Sequence, residues 1–403
     1  MSNVVVSQLN RTPLEMQRIE ICERKGLGHP DYICDSIMNQ VSIALSKEYQ
    51  RRFKSILHHN IDKGLLVAGH TEVRFGGGEV KKPMLLIFGD RATISVGGES
   101  VDIEDIAIRT AKDWFRKNMR FIDPDQHLNC QVEINSGAEE LTDIFQRGGK
   151  FLGANDTSAA VGYAPMTRTE RIVLATERHL NSRPFKREYP ETGEDVKVMG
   201  LRDGDKLCLT VAMSFVDRFI DGEGQYFRRK AEVLDEINGF VKSKTRMKAK
   251  VQLNTLDQRG RGVNGVYLTV LGTSAEAGDS GQVGRGNRVN GIMPLNRPTS
   301  SEAAAGKNPV SHVGKIYNVL TYHVADSIYR KVPGIKEIYV WMLSEIGRPI
   351  DRPKIAAAQV VPSPSVPFKE TQRKVKEVLM AELEAKRLAS FCKALAEGRL
   401  PVC

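Results

Sequence analysis

The sequence has 403 residues, 41% of them hydrophobic and 27% charged, which suits a globular chain of two or three domains with a real core. No stretch reaches the roughly 18 apolar residues of a bilayer span, so no membrane partner is expected. The formal net charge of +10 leaves two readings, a nucleic-acid face or a site for a polyanionic small molecule.

The basic residues are dispersed apart from short runs such as Lys242 to Lys250, best read as a solvated face. No nucleic-acid motif accompanies them, so the small-molecule reading stands first and no nucleic-acid partner is expected. The six cysteines, at 22, 34, 130, 208, 392 and 403, form no C-x-x-C pair. They read as reduced thiols, and no cysteine–histidine cluster has zinc-ligand spacing. The opening residues lack the charged flank and apolar run of a secretory leader, so a cytoplasmic location is expected.

In chain order, residues 33–53 read as a helix, because Ile37, Val41, Ala44, Leu45 and Tyr49 recur at three- and four-residue steps behind a proline–aspartate start signal. Residues 65–68 and 84–88 are short apolar runs bounded by glycines and read as buried strands. A second helix is expected over 103–119, strands over 207–217 and 266–271, and helices over 223–242, 306–328 and 368–396. Strands and helices in mixed blocks favour an α+β fold over a doubly wound parallel sheet. The expected division is 1–128, with discontinuous contributions allowed, then 129–253, then 254–403.

Several motifs could carry chemistry. In Lys25-Gly26-Leu27-Gly28-His29-Pro30-Asp31, a glycine turn delivers His29 and Asp31 to the mouth of a helix, where anions are favoured. Asp35 lies one turn later, so the two carboxylates can share a face and hold a hard cation such as Mg²⁺; the bland alternative is a helix cap with a structural histidine. His58 and His59 are adjacent and point opposite ways on a strand, so at most one is functional. Gly76-Gly77-Gly78 is either a phosphate cradle or a hairpin loop. Asp156, in Gly-Ala-Asn-Asp-Thr-Ser, could pair with an ammonium or merely close an Asx-turn. Lys197 lies in a strand-like segment and contacts phosphate only if it faces a cleft.

Residues 278–291 are the densest feature, with five glycines, Asp279, Arg285 and Arg288; exposed backbone N–H groups and forked guanidinium donors suit polyphosphate. Val289 occupies the third glycine position of a dinucleotide fingerprint, and Gly306-Lys307 is followed by asparagine rather than the serine or threonine of a P-loop. Lys307, His312 and Lys315 cluster at an expected helix start, where cations are unfavourable unless an anion is present.

Together these stretches resemble the S-adenosylmethionine synthetases of the archaeal type. The matching segments are ERKGLGHPDYICD, ILHHNIDK, FGGGE, GANDTS, GEDVKVMGLRDGDK, GTSAEAGDSGQVGRGNRVNGI and AAAGKNPVSHVGKIYN, in the family's order. The resemblance implies three similar α+β domains around a pseudo-threefold axis, and a homodimer or larger with sites between subunits. It implies ATP and L-methionine as substrates, Mg²⁺ as cofactor and K⁺ as a helper. Methionine sulfur would attack C5′ of ATP, and the released tripolyphosphate would be hydrolysed to phosphate and diphosphate.

By that resemblance His29 stabilises the leaving triphosphate, Asp31 and Asp279 bind Mg²⁺ with Asp35 as a further candidate, and Asp156 holds methionine. Lys197, Arg285 and Lys307 contact phosphate oxygens. Lys63, His312 and Lys315 join the ATP site, together with the loop Asn135, Ser136, Gly137, Ala138, Glu139 and Glu140. The family's usual loop reads Gly-x-Gly-Ser-x-Asp, Ser280 replaces a second aspartate, and Tyr32 replaces a small residue. These departures keep one alternative open: a catalytically weakened homologue that acts as a binding or regulatory partner.

Overall fold

The computed structural model describes residues 4–137, 145, 151–364 and 366–403. Three larger sheets organise it. Sheet I runs Gly281–Gln282, His59–Val67, Met84–Ala92, Leu128–Asn135. Sheet II runs Lys248–Leu253, Lys206–Val216, Thr192–Asp203, Ile19–Lys25, Met293–Pro294, with Leu268–Thr269 added beside Lys206–Val216. Sheet III runs Val4–Gln8, Ile355–Pro362, Ile335–Leu343, Ala159–Ala164. Each sheet mixes parallel and antiparallel pairs.

Each sheet also carries two helices. Pro30–Phe53 and Ile103–Asn118 pack on sheet I, Arg168–Leu180 and Glu223–Lys244 on sheet II, and Val313–Lys331 and Phe368–Glu382 on sheet III. The α+β class is therefore as expected. Sheets I and III share one apolar core, which includes Ile37, Val41, Phe88, Ile316 and Val340. Sheet II has its own, around Val198, Leu209, Phe215 and Ile237. Sheet membership is discontinuous: residues 129–253 alone contribute strands to all three sheets.

The Pro30–Phe53 helix positions the site. Proline stands in its first turn and His29 caps it. Ile33, Ile37, Val41 and Leu45 pack into the core, while Asp31, Asp35, Asn39, Ser42 and Ser46 form a second, polar ridge at three- and four-residue steps. Both sides are buried, so every polar group on that ridge needs a partner inside the protein.

Three expected elements differ. The helix expected over 306–328 begins only at Val313, because Gly306 is left-handed (φ +76°) and His312 supplies the cap. The strand expected over 266–271 shrinks to Leu268–Thr269, since the Glu276 carboxylate takes the amides of Val270 and Leu271. The expected 368–396 helix is two helices, Phe368–Glu382 and Ala385–Ala396; the first packs on Val4–Gln8 and the second turns to meet Pro30–Phe53.

Candidate active site

The turn before His29 is welded to the start of Thr192–Asp203, the central strand of sheet II. Gly26 N donates to Val196 O (2.7 Å) and Gly28 N to Glu194 O (2.9 Å). A Cβ on Gly26 would sit 2.5 Å from Val196 O, and one on Gly28 2.5 Å from Asp195 N, so close approach requires both glycines. His29 Nδ1 accepts from Asp31 N at 3.2 Å, which leaves Nε2 as the protonated nitrogen of a neutral ring. Burial pulls this imidazole down to about 4; Asp31 opposes the shift, and Lys25 and Lys197 add to it. At neutral pH His29 is thus an uncharged N–H donor.

The two carboxylates on the helix dock the glycine–arginine loop. Asp31 Oδ1 accepts from Gln282 N (2.9 Å) and Oδ2 from Lys25 Nζ (2.8 Å). Asp35 Oδ1 accepts from Gly284 N at 2.8 Å, and a Cβ on Gly286 would lie 2.2 Å from Asp35 Oδ2. Burial raises Asp35 to about 7 against the lowering effect of these amides. Asp35 therefore faces loop backbone on both sides of Arg285. Lys25 Nζ also holds Arg285 O (2.7 Å), and Asn287 exchanges two hydrogen bonds with the Lys25 backbone (2.9 and 2.8 Å). With its backbone fixed, the Arg285 side chain is exposed and has no ion pair among the described residues.

Asp279 is exposed and follows the 272–274 segment; its amide donates to Ser274 O (2.9 Å). Ser274 N donates to the buried Asp195 carboxylate (2.8 Å), which burial raises to about 6. Lys197, two residues on in the same strand and opposite Lys25, lies 3.3 Å from Glu23 and close enough to His29 to act on its imidazole. His29, Asp31, Asp35, Lys197, Asp279 and Arg285 are thus brought to one place by the helix start, sheet II and the loop.

A second cluster lies farther along the same helix. Lys307 Nζ contacts Asp62 (2.7 Å) and Glu302 (2.9 Å), and Lys63 also reaches Asp62 (2.6 Å). Against the effect of burial, Lys307 holds the Asp62 carboxyl well below the usual range, with Asp90 and Lys63 assisting. Burial and the neighbouring Asp62 raise Asp90 to about 6. Ser42 Oγ donates to Lys307 O (2.9 Å) and meets His59 Nε2 (2.9 Å), so His59 is a buried structural ring. His312 caps Val313–Lys331, and burial, followed by Lys307, pushes it to about 3.

Lys315 is enclosed: its Nζ donates to Asn39 Oδ1 (2.8 Å). The cations expected to await an anion therefore already have partners within the chain. Burial, then Lys307, lowers Lys315 from 10.5 to about 7. Between these values the unfolded chain binds the extra proton. This residue's contribution to stability therefore rises with pH across that window, by at most about 1.4 kcal/mol per pH unit. The stability of Lys315→Met relative to the unaltered chain should fall from pH 7 to pH 10 in urea unfolding; a difference independent of pH would contradict a depressed amine.

Asp156 is half-buried on the approach to sheet III. Ser344 Oγ donates to its carbonyl (2.7 Å), the neighbouring Asn155 N reaches Ser311 O (3.4 Å), and its carboxylate has no ion pair among the described residues. Asn135 ends its strand opposite Arg91, beside Asp90, with Ser136 and Gly137 following. Ala138, Glu139 and Glu140 lie outside the described residues. Lys25, Asp62, Asp90 and Asp195 join the site in the structure; in sequence Lys25 and Asp62 adjoin Gly26 and Lys63, Asp195 stands two positions before Lys197, and Asp90 carries no signal.

Among the described residues no three His, Cys, Asp or Glu side chains form a protein-only metal cage. Mg²⁺ held through one or two carboxylates plus substrate phosphates needs none. Asp31 and Asp279 suit that mode, because Gly281 brings the two segments together; its Cβ would lie 2.8 Å from Asp31 N.

Comparison with known proteins bears on the family of the chain. The family model described as S-adenosylmethionine synthetase (AdoMet synthetase) matches residues 2–399. The S-adenosylmethionine synthase of Pyrococcus furiosus is 47% identical over 373 residues, 92% of each chain. That of Methanothermobacter thermautotrophicus is 44% identical over 400 residues, 99% of each. An unusual S-adenosylmethionine synthetase from Campylobacter jejuni shares the fold, with a TM-score of 0.61 over 94% of each chain at 14% identity. With a family model spanning nearly its whole length and relatives this similar, the chain belongs to the S-adenosylmethionine synthetase family.

Proposed function

We propose that the clustered residues perform the reaction of an S-adenosylmethionine synthase, a methionine adenosyltransferase: ATP, L-methionine and water give S-adenosylmethionine, phosphate and diphosphate. The observation that carries the site assignment is one juxtaposition. A neutral N–H donor (His29), an exposed guanidinium (Arg285), a strand lysine (Lys197) and two carboxylates on segments that meet at Gly281 (Asp31, Asp279) are delivered to one region.

A thioether sulfur carries no proton, so attack on C5′ needs no general base. The rate comes from alignment and from stabilising charge on the departing triphosphate. His29 Nε2–H, Lys197 and Arg285 supply donors there, and the ammonium groups of Lys307 and Lys63, with the buried His312 ring and Lys315 amine behind them, form a second group that contacts or supports ATP. Asp31 and Asp279 would hold Mg²⁺, which would supply a compact positive charge beside the triphosphate, and Asp35 would support the site through the loop. Asp156 binds the methionine ammonium, and residues 135–140 line ATP. K⁺ is a second cation to be tested by omission.

The chain acts as a homodimer or larger. The face of sheet II that carries Lys197 also carries Met199, Leu201, Ile21 and Cys208, and Leu201 is 42% exposed. This mixed face, which also carries Glu23, Lys25 and Thr210, lies next to the reactive groups and suits burial against a second copy. Six free cysteines suit a reducing, cytoplasmic setting, and among the described residues no helix is long and apolar enough to cross a membrane.

The test is a product assay with ATP, methionine, Mg²⁺ and K⁺. S-adenosylmethionine with phosphate and diphosphate, and no ADP, is expected. ADP in their place would indicate phosphoryl transfer, and ATP binding without turnover would favour the weakened homologue. Relatives named S-adenosylmethionine synthase at 44–47% identity favour the enzyme.

A further inference from the structure

Between Thr192, opposite Phe215, and Val196, opposite Met213, three residues face Ser214 alone. This bulge holds the His29 turn. Glu194 O and Val196 O accept from Gly28 N and Gly26 N, Thr273 Oγ1 donates to Gly28 O (2.7 Å), and Asp195 N donates to Gly272 O (3.1 Å). The Asp195 carboxylate fixes Ser274, whose carbonyl takes the Asp279 amide. One irregular stretch of strand therefore anchors both segments that deliver His29 and Asp279. Bulges next to active sites commonly re-aim the chain in this way.

Two cations outside the site hold the bulge. Lys186 Nζ donates to Gly193 O (2.6 Å) and reaches Thr192 Oγ1 (3.2 Å). The Arg120 guanidinium pairs with Glu194 and donates to Thr192 O. Asn181 adds a bond to Glu194 O (3.1 Å). The space is tight: a Cβ on Gly193 would lie 2.2 Å from Ser214 Oγ, so a shifted bulge has little room to relax.

Lys186 is buried, yet no carboxylate pairs with it among the described residues, and burial pulls its amine to about 7 despite Glu194. A buried amine satisfied only by carbonyl and hydroxyl oxygens is costly, and an apolar chain of similar length would avoid that cost. Its return is geometric.

We propose that Lys186 and Arg120 are positioning residues for the adenosyl-transfer site, acting on His29 and Asp279 through the 193–195 bulge. This rests on the functional reading above, and the test separates the two. Lys186→Met, Arg120→Gln and Arg120→Lys are compared with the unaltered chain for kcat, for KM of ATP and methionine, and for amide hydrogen exchange in peptides covering residues 22–33. The expected result is a fall in kcat of about 10- to 100-fold for Lys186→Met and Arg120→Gln, a KM for ATP within about threefold, and faster exchange at Gly26 and Gly28. Arg120→Lys, which keeps a cation beside Glu194, should lose less. A folded variant with kcat within about twofold and unchanged exchange would overturn the proposal. If Lys186→Met does not fold, the partly exposed Arg120 decides on the same criteria. If the unaltered chain makes no S-adenosylmethionine, the functional reading fails, while the exchange data alone still judge the positioning.

Discussion

His29→Ala should slow S-adenosylmethionine formation by about 10²- to 10³-fold, the usual effect of losing one preorganised donor to developing negative charge. The structure supplies the reason and a complication. Nδ1 is engaged by Asp31 N, so the proton on Nε2 is the one available to the leaving triphosphate. The same Nδ1 contact caps the Pro30–Phe53 helix, and losing a cap costs about 0.5–2 kcal/mol by itself. His29→Asn separates the two effects, because asparagine caps well but does not place a donor where Nε2 sits. Urea unfolding should therefore recover most of its stability in His29→Asn, while the single-turnover rate stays low. An asparagine variant with a near-normal rate would reduce His29 to a cap.

The pieces of this site are legible as local signals. Glycine, proline and an acidic first turn mark the start of the Pro30–Phe53 helix, and glycine density with arginine marks the 278–291 loop, because each depends on residues within a few positions. The pairing of those pieces was not local. Asp35 receives its bond from Gly284 N, 249 positions away, and Asp62 meets Lys307 across 245 positions. Both contacts exist because Gly281–Gln282 joins His59–Val67 in sheet I and because Lys307 bridges to Asn60.

Tertiary competition likewise decided the misjudged boundaries. Glu276 removes two amides from an expected strand, and the C-terminal helices part where their packing partner changes. Asp31 and Asp35 read in sequence as a metal pair; in the structure Asp35 also faces the amides that flank Arg285, and Asp31 also accepts from Gln282 N and Lys25 Nζ, contacts that spacing on one helix cannot show. Lys307 and Lys315 read as cations in want of an anion because their partners, Asp62 and Asn39, sit on other elements.

Lys307→Met should be the most damaging single change in the second cluster, both to stability and to rate. The Asp62 side chain is only 6% exposed, and removing its closest buried cation leaves a carboxylate that burial penalises; breaking such a pair costs about 3–5 kcal/mol. Lys63, 64% exposed, still reaches Asp62 and places the expected loss at the lower end. The rate of S-adenosylmethionine formation should fall by at least about 10²-fold if Lys307 contacts phosphate. Stability and rate then diverge in the double variant. Asp62→Asn with Lys307→Met removes the stranded charge, so urea unfolding should recover by about 2 kcal/mol or more, whereas the rate should stay at the level of the single lysine variant. Recovery of both together would mean that Lys307 serves only as the counterion of Asp62. Phosphate contact in this cluster would then fall to Lys63, whose ammonium is the one that reaches solvent.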